Sequence, residues 1–264
     1  MAKVYLAAGH GGKDPGAVSG GFQEKDMTLA ITLACRDYLK ANYKGVTVKC
    51  SRTTDKYVNY VDYAKETISW GADVAVDNHI NAGGGDGCEA WVNKGAKKAA
   101  KLSEAILEEL EMLGQNTHGS PVKESSEFAF NKIPECPSPI IEFFFIDSKD
   151  REIGDTKAEL KALGEAEARG IAKYLNLEKK EGKKTYTLLA SMNVRTGPGT
   201  NYARKKRIQT PSAEKKNLLN RTYAVLRKGT KVTALEVKKK DAGTWIRTSI
   251  GWICVKGKTK TYAE

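Results

Sequence analysis

The first two thirds of the chain alternate short apolar runs with longer segments that carry an apolar residue every three or four positions. The short runs predict buried strands at residues 4–8, 46–50, 74–79 and 139–146. The longer segments predict amphipathic helices at residues 24–40, 58–70, 97–113 and 156–175. Strands that alternate with helices indicate an α/β domain, with a mostly parallel sheet covered by helices on both faces.

The pattern changes near residue 177. Residues 177–185 are polar and highly charged, which predicts a linker between a first domain, residues 1–176, and a second, residues 186–264. The second domain has short segments rich in β-branched and aromatic residues, at 186–190, 223–226, 231–237, 244–249 and 252–255. They predict a small all-β barrel or sandwich, interrupted by a long mobile loop at residues 203–221.

Charge divides the chain at the same place. The net charge is +12, yet residues 183–264 hold 20 basic and 4 acidic residues, whereas residues 1–182 hold 24 and 28. Because the second domain is strongly basic, we expect it to bind a polyanionic partner. A nucleic-acid-binding protein is one alternative, but the aromatic-basic strand motif of an RNA-recognition sheet is missing from the sequence.

Several protein classes are disfavoured. The five cysteines are scattered and form no Cys-x-x-Cys pair, which argues against a disulfide framework and a thiolate zinc site. No apolar run approaches the roughly 18 residues of a membrane helix, so membrane insertion is not expected. The first apolar run is too short for a secretory signal, which predicts a protein made in the cytosol that something else must release if its target lies outside.

Two of the three histidines follow predicted strands. His10 lies in Gly9-His10-Gly11-Gly12 after the first strand, and His79 ends the strand at 74–79. Both should lie at the carboxyl edge of the sheet, where α/β proteins bind ligands, and Glu24 at the first helix start can reach that edge. Two imidazoles and a carboxylate form a common catalytic zinc set. From residue types alone, structural histidines remain the alternative.

Glu142 stands out because it interrupts a strongly apolar strand. A carboxylate there is costly unless it is paired, bound to a metal or protonated. Apolar neighbours should raise its pKa, and a carboxyl of that kind beside a metal is suited to general base and acid chemistry. A salt bridge to a lysine or arginine is the alternative.

Five ordered segments carry a family resemblance. They are residues 8–17, 24–29, 51–55, 79–82 and 139–143. Together they resemble the zinc N-acetylmuramoyl-L-alanine amidases of the Amidase_3 type over about residues 1–176. The resemblance implies that His10, Glu24 and His79 bind one Zn²⁺ and that Glu142 is the catalytic carboxylate. It also implies hydrolysis of the peptidoglycan amide between N-acetylmuramic acid and L-alanine, in a phage endolysin or a bacterial autolysin.

Other residues near these segments have less certain roles. Asn81 is predicted to orient a ligand or substrate group, or to form an Asx turn after its strand. His118 stands where family members often carry arginine, and is expected in a loop at the border of the cleft, as a surface histidine or a substrate contact. Arg52 is predicted to anchor Asp55 or a strand end, with a substrate contact as the alternative. Asp77 and Asn78, just before His79, are more polar than the residues expected at these positions in the family.

The second domain resembles a bacterial SH3 domain. The resemblance rests on residues 192–199, 226–232, 243–247 and 251–253. It implies binding to the cell wall, with the positive charge holding the domain near teichoic acids and other anionic wall polymers. Tyr202, Trp245 and Trp252 are candidates for stacking on sugar or peptide, although core packing is the alternative for both tryptophans.

Two other functions fit part of the pattern. One is a zinc peptidase that cuts within the peptidoglycan stem peptide, and the other is an inactive wall-binding protein. Residue chemistry alone does not exclude the peptidase, and the ordered motifs favour the amidase. The expected partners are peptidoglycan and anionic wall polymers, without nucleic acid.

Overall fold

The computed structural model describes residues 1–180, 184–219 and 222–264. Residues 181–183 of the predicted linker and residues 220–221 of the predicted loop lie outside that description. The chain divides into two compact units, Met1–Lys180 and Glu181–Glu264. Residues at the start of the predicted linker bond within the first unit, since the Lys180 backbone N–H donates to the carbonyl of Asn42.

The first unit contains eight strands and five α-helices among its described residues. The strands are β1 (Ala2–Ala8), β2 (Val18–Ser19), β3 (Phe22–Gln23), β4 (Val46–Cys50), β5 (Val74–Asn81), β6 (Cys88–Val92), β7 (Thr117–Glu124) and β8 (Ile140–Phe145). The helices are α1 (Glu24–Asn42), α2 (Tyr60–Trp70), α3 (Lys97–Glu111), α4 (Ala129–Lys132) and α5 (Lys157–Tyr174). No helix in the described part of the chain is both long and apolar enough to cross a membrane.

Six strands form one sheet, in the order β4-β1-β5-β8-β6-β7. The four strands β4, β1, β5 and β8 are parallel, whereas β6 runs antiparallel to β8 and parallel to β7. The predicted mostly parallel α/β sheet is therefore confirmed. Because β1, β5 and β8 are adjacent and parallel, their carboxyl ends meet at one edge.

The apolar alternation of each strand supplies two cores. In β1, Val4 and Leu6 join a large cluster that contains residues of α1, α3 and α5. Tyr5 and Ala7 point the other way and join a smaller cluster with residues of α2 and α4. The helices thus cover both faces of the sheet and leave its carboxyl edge for the loops after β1 and β5.

Strands β6 and β7 were not predicted. The apolar alternation of β6 is interrupted by a buried glutamate, Glu89, and β7 is mostly polar and contains Pro121. Such a sequence is tolerated because β7 lies at the edge of the sheet. The prediction that His118 lies in a loop was wrong, since it lies within β7.

The second unit is a small β structure with its own apolar cluster. Its strands are β9 (Thr185–Thr187), β10 (Met192–Asn193), β11 (Val225–Leu226), β12 (Lys231–Thr233), β13 (Glu236–Lys240), β14 (Gly243–Thr248) and β15 (Gly251–Lys256). The segment predicted as a mobile loop contains two 3₁₀ helices, Arg207–Gln209 and Ser212–Asn217. The likeness to a bacterial SH3 domain stays a prediction.

Helix α5 carries a carboxyl group that is buried against β5. Glu167 of α5 is fully buried and accepts a hydrogen bond of 3.1 Å from Asn78 Nδ2, while its Oε1 has no partner among the described residues. Burial raises the pKa of Glu167 to about 8. The folded chain therefore favours the neutral acid at neutral pH.

This raised pKa predicts a pH-dependent stability. The stabilisation from protonated Glu167 is complete below the pKa of the unfolded chain and is lost as the pH rises toward about 8. We predict that Glu167→Gln unfolds with a weaker pH dependence, and that near pH 8 it is more stable than wild type by roughly 1–3 kcal/mol. Urea unfolding near pH 5 and pH 8 measures this difference. Parallel pH dependence of the two proteins would contradict the assignment.

Candidate metal centre and active site

Three side chains meet at the carboxyl edge of the sheet. Glu24 lies between the two imidazoles, with its Oε2 at 3.2 Å from His10 Nε2 and its Oε1 at 3.0 Å from His79 Nδ1. One ligand atom from each of the three residues lies within 4.8 Å of the others. Among the described residues, this is the one group of three or more histidine, cysteine and acidic side chains with such geometry. We call these three residues the metal cluster.

Glu24 is a buried anion. Its carboxylate accepts backbone hydrogen bonds from Ile80 at 2.9 Å and Ala17 at 2.8 Å. Burial alone would raise the pKa of Glu24, but the hydrogen bonds from His10 and His79 outweigh it and lower the pKa well below its usual value. The carboxylate also starts α1, where the helix dipole favours negative charge. Glu24 is therefore ionised and oriented as a ligand must be.

Each imidazole has a second carboxylate behind it. His10 Nδ1 lies 2.9 Å from Asp14 Oδ2, and His79 Nε2 lies 3.5 Å from Asp77 Oδ2. Tyr63 in turn donates from its hydroxyl to that oxygen of Asp77 at 2.8 Å. A carboxylate on the outer nitrogen fixes the ring orientation and directs the other nitrogen toward a metal.

The backbone around the metal cluster is tightly constrained. His10 has a positive φ of 61°, which is a strained conformation for a residue with a side chain. A methyl group on Gly9 would lie 2.5 Å from Cε1 of His79, and one on Gly16 would lie 2.5 Å from Oε2 of Glu24. Gly9 and Gly16 are therefore required by the close approach of the side chains of the metal cluster.

Arg52 joins the two segments that carry His10 and Glu24. Its guanidinium is almost fully buried and donates to the carbonyls of Ala8 at 3.1 Å and Gly9 at 2.9 Å, just before His10. The same group donates to the carbonyl of Lys25, the residue after Glu24, at 2.6 Å. Of the two predicted anchoring roles, the structure shows the contact with a strand end.

The predicted partner of Arg52, Asp55, makes other contacts. Its carboxylate accepts from Lys25 Nζ at 2.9 Å and from the Gly12 backbone at 2.7 Å. Lys25 Nζ also donates to the carbonyl of Gly12 at 3.0 Å. Asp55 thus holds the glycine-rich loop to the first turn of α1.

Glu142 lies next to the metal cluster in the sheet. It is the register partner of His79 in the parallel strand β5 and of Glu89 in β6. Its Oε2 is buried and has no hydrogen-bond partner among the described residues. Burial raises the pKa of Glu142 to about 7, and the negative charges of Glu24 and Glu89 act in the same direction, although His79 opposes them.

Asn81 and Glu89 form a polar group beside Glu142. Glu89 is buried and accepts hydrogen bonds from Lys123 Nζ, from Trp91 Nε1 at 2.9 Å and from Asn81 Nδ2 at 3.2 Å. The side-chain oxygen of Asn81 accepts from the backbone of Ala82 at 2.9 Å. Both ends of this amide are therefore engaged within the protein.

The remaining candidate residues lie elsewhere. His118 contacts the carbonyl of Asp86 at 2.9 Å and the ring of Phe145 at 4.9 Å, and no contact joins it to the metal cluster in the described structure. In the second unit, Trp245 and Trp252 are only 4% and 7% exposed, whereas Tyr202 is 37% exposed. Of these three aromatic rings, Tyr202 is the most accessible.

The sequence pattern did not identify Asp14, Asp77 and Tyr63 as supporting residues. A signal was present for Asp77, because it precedes His79 by two positions and therefore shares its face of β5. Asp14 follows His10 by four positions in a loop, where the spacing of residues does not predict which way a side chain points. The contact of Tyr63 depends on the packing of α2 against the sheet.

The position of Arg52 leads to a prediction on metal binding. Arg52→Met should weaken the affinity for Zn²⁺ by roughly 10–100-fold, because the segments of His10 and Glu24 lose their shared donor. Arg52→Lys should recover part of that affinity. Isothermal titration calorimetry measures the affinity, and circular dichroism confirms that the variants fold.

Arg169→Met is the matched control for this prediction. Arg169 is also partly buried, but it joins α5 to Glu109 of α3, with Nε at 2.6 Å from Oε2. It should leave the affinity for Zn²⁺ unchanged. Equal affinity losses in the Arg52→Met and Arg169→Met variants would show that Arg52 acts only on general stability.

Comparisons with known proteins identify the family of the chain. The sporulation-specific N-acetylmuramoyl-L-alanine amidase of Bacillus subtilis (strain 168) is 33% identical over 189 residues, which are 70% of this chain and 73% of that protein. The endolysin of Bacillus phage SPP1 is 34% identical over 188 residues, covering 68% of each chain.

A solved structure shares the fold of the first unit. The CwlD amidase from Clostridioides difficile, in complex with the GerS lipoprotein, is similar with a TM-score of 0.59 and 29% identity, over 67% of this chain and 99% of that chain. The family model Amidase_3, described as N-acetylmuramoyl-L-alanine amidase, matches residues 4–173. The chain therefore belongs to the Amidase_3 family of N-acetylmuramoyl-L-alanine amidases.

Proposed function

We propose that this amidase depends on one zinc ion, held by His10, Glu24 and His79. Its reaction is hydrolysis of the amide between N-acetylmuramic acid and the L-alanine of the peptidoglycan stem peptide. The observation that carries the proposal is the convergence of these three ligand atoms within 4.8 Å at the carboxyl edge of the sheet. The family membership of the chain supports the same reaction.

The donor set fits zinc. Two imidazole nitrogens and one carboxylate are a frequent protein ligand set of catalytic zinc, which keeps a further position open. Asp14 and Asp77 lie behind the two imidazoles as zinc sites require, and Glu24 is ionised. When bound, zinc polarises the scissile carbonyl and makes water a better nucleophile at neutral pH.

Glu142 is the proposed general base and acid. Its buried Oε2, free of hydrogen bonds within the described structure, takes a proton from the attacking water. The same oxygen then returns the proton to the nitrogen of the departing L-alanine, so the carboxyl ends in its starting state. Its place beside His79 in the sheet supports this role.

The neighbours of Glu142 support its chemistry without touching the reacting atoms. Glu89 is held by Lys123, Trp91 and Asn81, so it stays fixed next to Glu142. We propose that Asn81 positions this pair rather than binding substrate, because both ends of its amide are engaged. His118 lies beyond Phe145, where it has no part in proton transfer.

The proposed role of Glu142 predicts a separation of metal binding from catalysis. Glu142→Gln should keep the zinc content of wild type and lose roughly 10²–10⁴-fold in kcat, because the amide neither accepts nor returns the proton. Zinc analysis and the release of soluble fragments from purified walls measure the two effects. Glu167→Gln is the matched control, because burial also raises the pKa of Glu167, and it should retain activity.

The products separate the amidase from a zinc peptidase. Mass spectrometry of fragments released by wild type should show intact stem peptides that begin with L-alanine. Fragments cut within the stem peptide would instead establish the peptidase. Activity retained by Glu142→Gln would remove this residue from the mechanism.

For the second unit we propose binding to the cell wall through anionic polymers. Its edge strand β13 presents three exposed lysines in a row, Lys238–Lys240. Lys240 Nζ lies 4.9 Å from the ring centroid of Tyr202, and Lys238 Nζ lies 5.6 Å from that of Trp252. Lys240 thus places positive charge beside the exposed ring of Tyr202, and the likeness to a bacterial SH3 domain supports a binding role.

Replacing these lysines tests the wall-binding proposal. In the Glu142→Gln background, changing Lys238, Lys239 and Lys240 to glutamine should weaken sedimentation with purified walls roughly tenfold at low salt, and less at high salt. Changing Lys97, Lys98 and Lys101, exposed on α3, to glutamine removes the same charge from the first unit as a control. Equal weakening by both triple variants, or unchanged binding to walls stripped of teichoic acid, would contradict the proposal.

A further inference from the structure

A cavity of about 310 Å³ opens beside the metal cluster. His10 and His79 line one part of it. The rest of its wall is largely aromatic and includes Tyr57, Tyr60, Tyr63, Phe128 and Phe130. We call this space the aromatic cleft.

Two of its rings are available to a ligand. Tyr60 is 54% exposed and Phe128 is 39% exposed, although both line a concave site. The edge of Phe128 meets the ring of Trp91, with a centroid distance of 5.5 Å, which holds its orientation. Tyr57 is also exposed, but Lys13 Nζ lies 5.2 Å from its ring centroid and covers one face. Exposed aromatic rings around a concave site are typical of a binding surface.

The charged groups of the aromatic cleft restrict its occupant. Apart from the two histidines, its ionisable lining consists of Asp14, Asp77, Glu127 and tyrosines, so acidic groups outnumber Lys13, which lies over Tyr57 at its border. A stem peptide ends in a carboxylate, which such a lining repels. A muramic acid residue joined through its lactyl amide is uncharged and offers hydroxyl and acetamido donors to carboxylates.

The volume of the aromatic cleft also fits a sugar ring. Ligand pockets span roughly 300–1,000 Å³, so the aromatic cleft lies at the small end of that range. It has room for a single sugar ring, and because the cavity is open to solvent, the rest of a larger substrate would extend out of it. Its contact with His10 and His79 places one end of the occupant at the metal cluster.

We propose that the aromatic cleft binds the N-acetylated sugar ring of the substrate, with Tyr60 and Phe128 as its stacking walls. The inference rests on the proposed function and assigns the side of the metal cluster on which the glycan lies. The peptide then leaves the cluster away from Asp14 and Glu127. Tyr60 and Phe128 are thus specificity residues for the sugar half of the substrate.

Two soluble substrates with one stem peptide test this proposal. One carries N-acetylmuramic acid on L-alanine, and the other carries lactic acid alone. Wild type should have the higher kcat/KM for the sugar-bearing substrate. Tyr60→Ala and Phe128→Ala should each lower that value roughly three- to tenfold and change the value for the lactyl substrate less than twofold.

Two further variants sharpen the result. Tyr60→Phe should behave as wild type, because stacking needs the ring and not the hydroxyl. Met112→Ala changes a residue that is 69% exposed at the end of α3 and should affect neither substrate. Calorimetric binding of N-acetylmuramoyl-L-alanine to Glu142→Gln should weaken by the same factor when Tyr60→Ala is added.

The outcomes distinguish this inference from the proposed function. Equal losses on the two substrates, or a wild type that does not distinguish them, would overturn the sugar assignment while amidase activity stands. Larger losses as the stem peptide is lengthened would place the peptide in the aromatic cleft instead. Cleavage of neither substrate by zinc-loaded wild type would overturn the proposed function itself.

Discussion

The buried carboxylate of Glu24 is the group on which the site depends. Removing an anion from water costs several kcal/mol unless partners compensate, and here His10, His79 and two backbone N–H groups do so. The strained backbone of His10 and the close approach of Gly9 follow from bringing these partners together. Arg52 holds the segments of His10 and Glu24 together by donating hydrogen bonds to carbonyl groups on both.

The metal cluster, Glu142 and the aromatic cleft lie around one edge of the sheet, and each has a different proposed role. The metal cluster lies at the ends of β1 and β5 and at the start of α1. Glu142 lies on β8, and its buried Oε2 has no hydrogen-bond partner in the described structure. The aromatic cleft lies on the side of α2 and α4, which carry Tyr60 and Phe130. In the proposed mechanism, proton transfer, metal binding and substrate binding therefore depend mainly on residues of different elements.

Much of the fold and part of the site follow from the sequence. Apolar periodicity predicted the four parallel strands. Because His10 and His79 lie at the carboxyl ends of two of them, both histidines were expected at one edge of the sheet. Strand β6 was missed because Glu89, buried through its pairing with Lys123, breaks the apolar pattern. The contacts of Arg52 are to backbone carbonyls, which leave no trace in residue types. The role of Glu24 as a ligand came from the family resemblance, since spacing showed only that it reaches the edge.

The proposed site requires that His10, Glu24 and His79, which are far apart in the chain, bind one ion together. Anomalous diffraction at the zinc absorption edge, from crystals of the full chain grown with zinc, tests it most directly. The account predicts a single strong site bonded to His10 Nε2, the Glu24 carboxylate and His79 Nδ1, the atoms that already face one another. Zinc bound elsewhere in the first unit, with these three side chains uncoordinated, would contradict it.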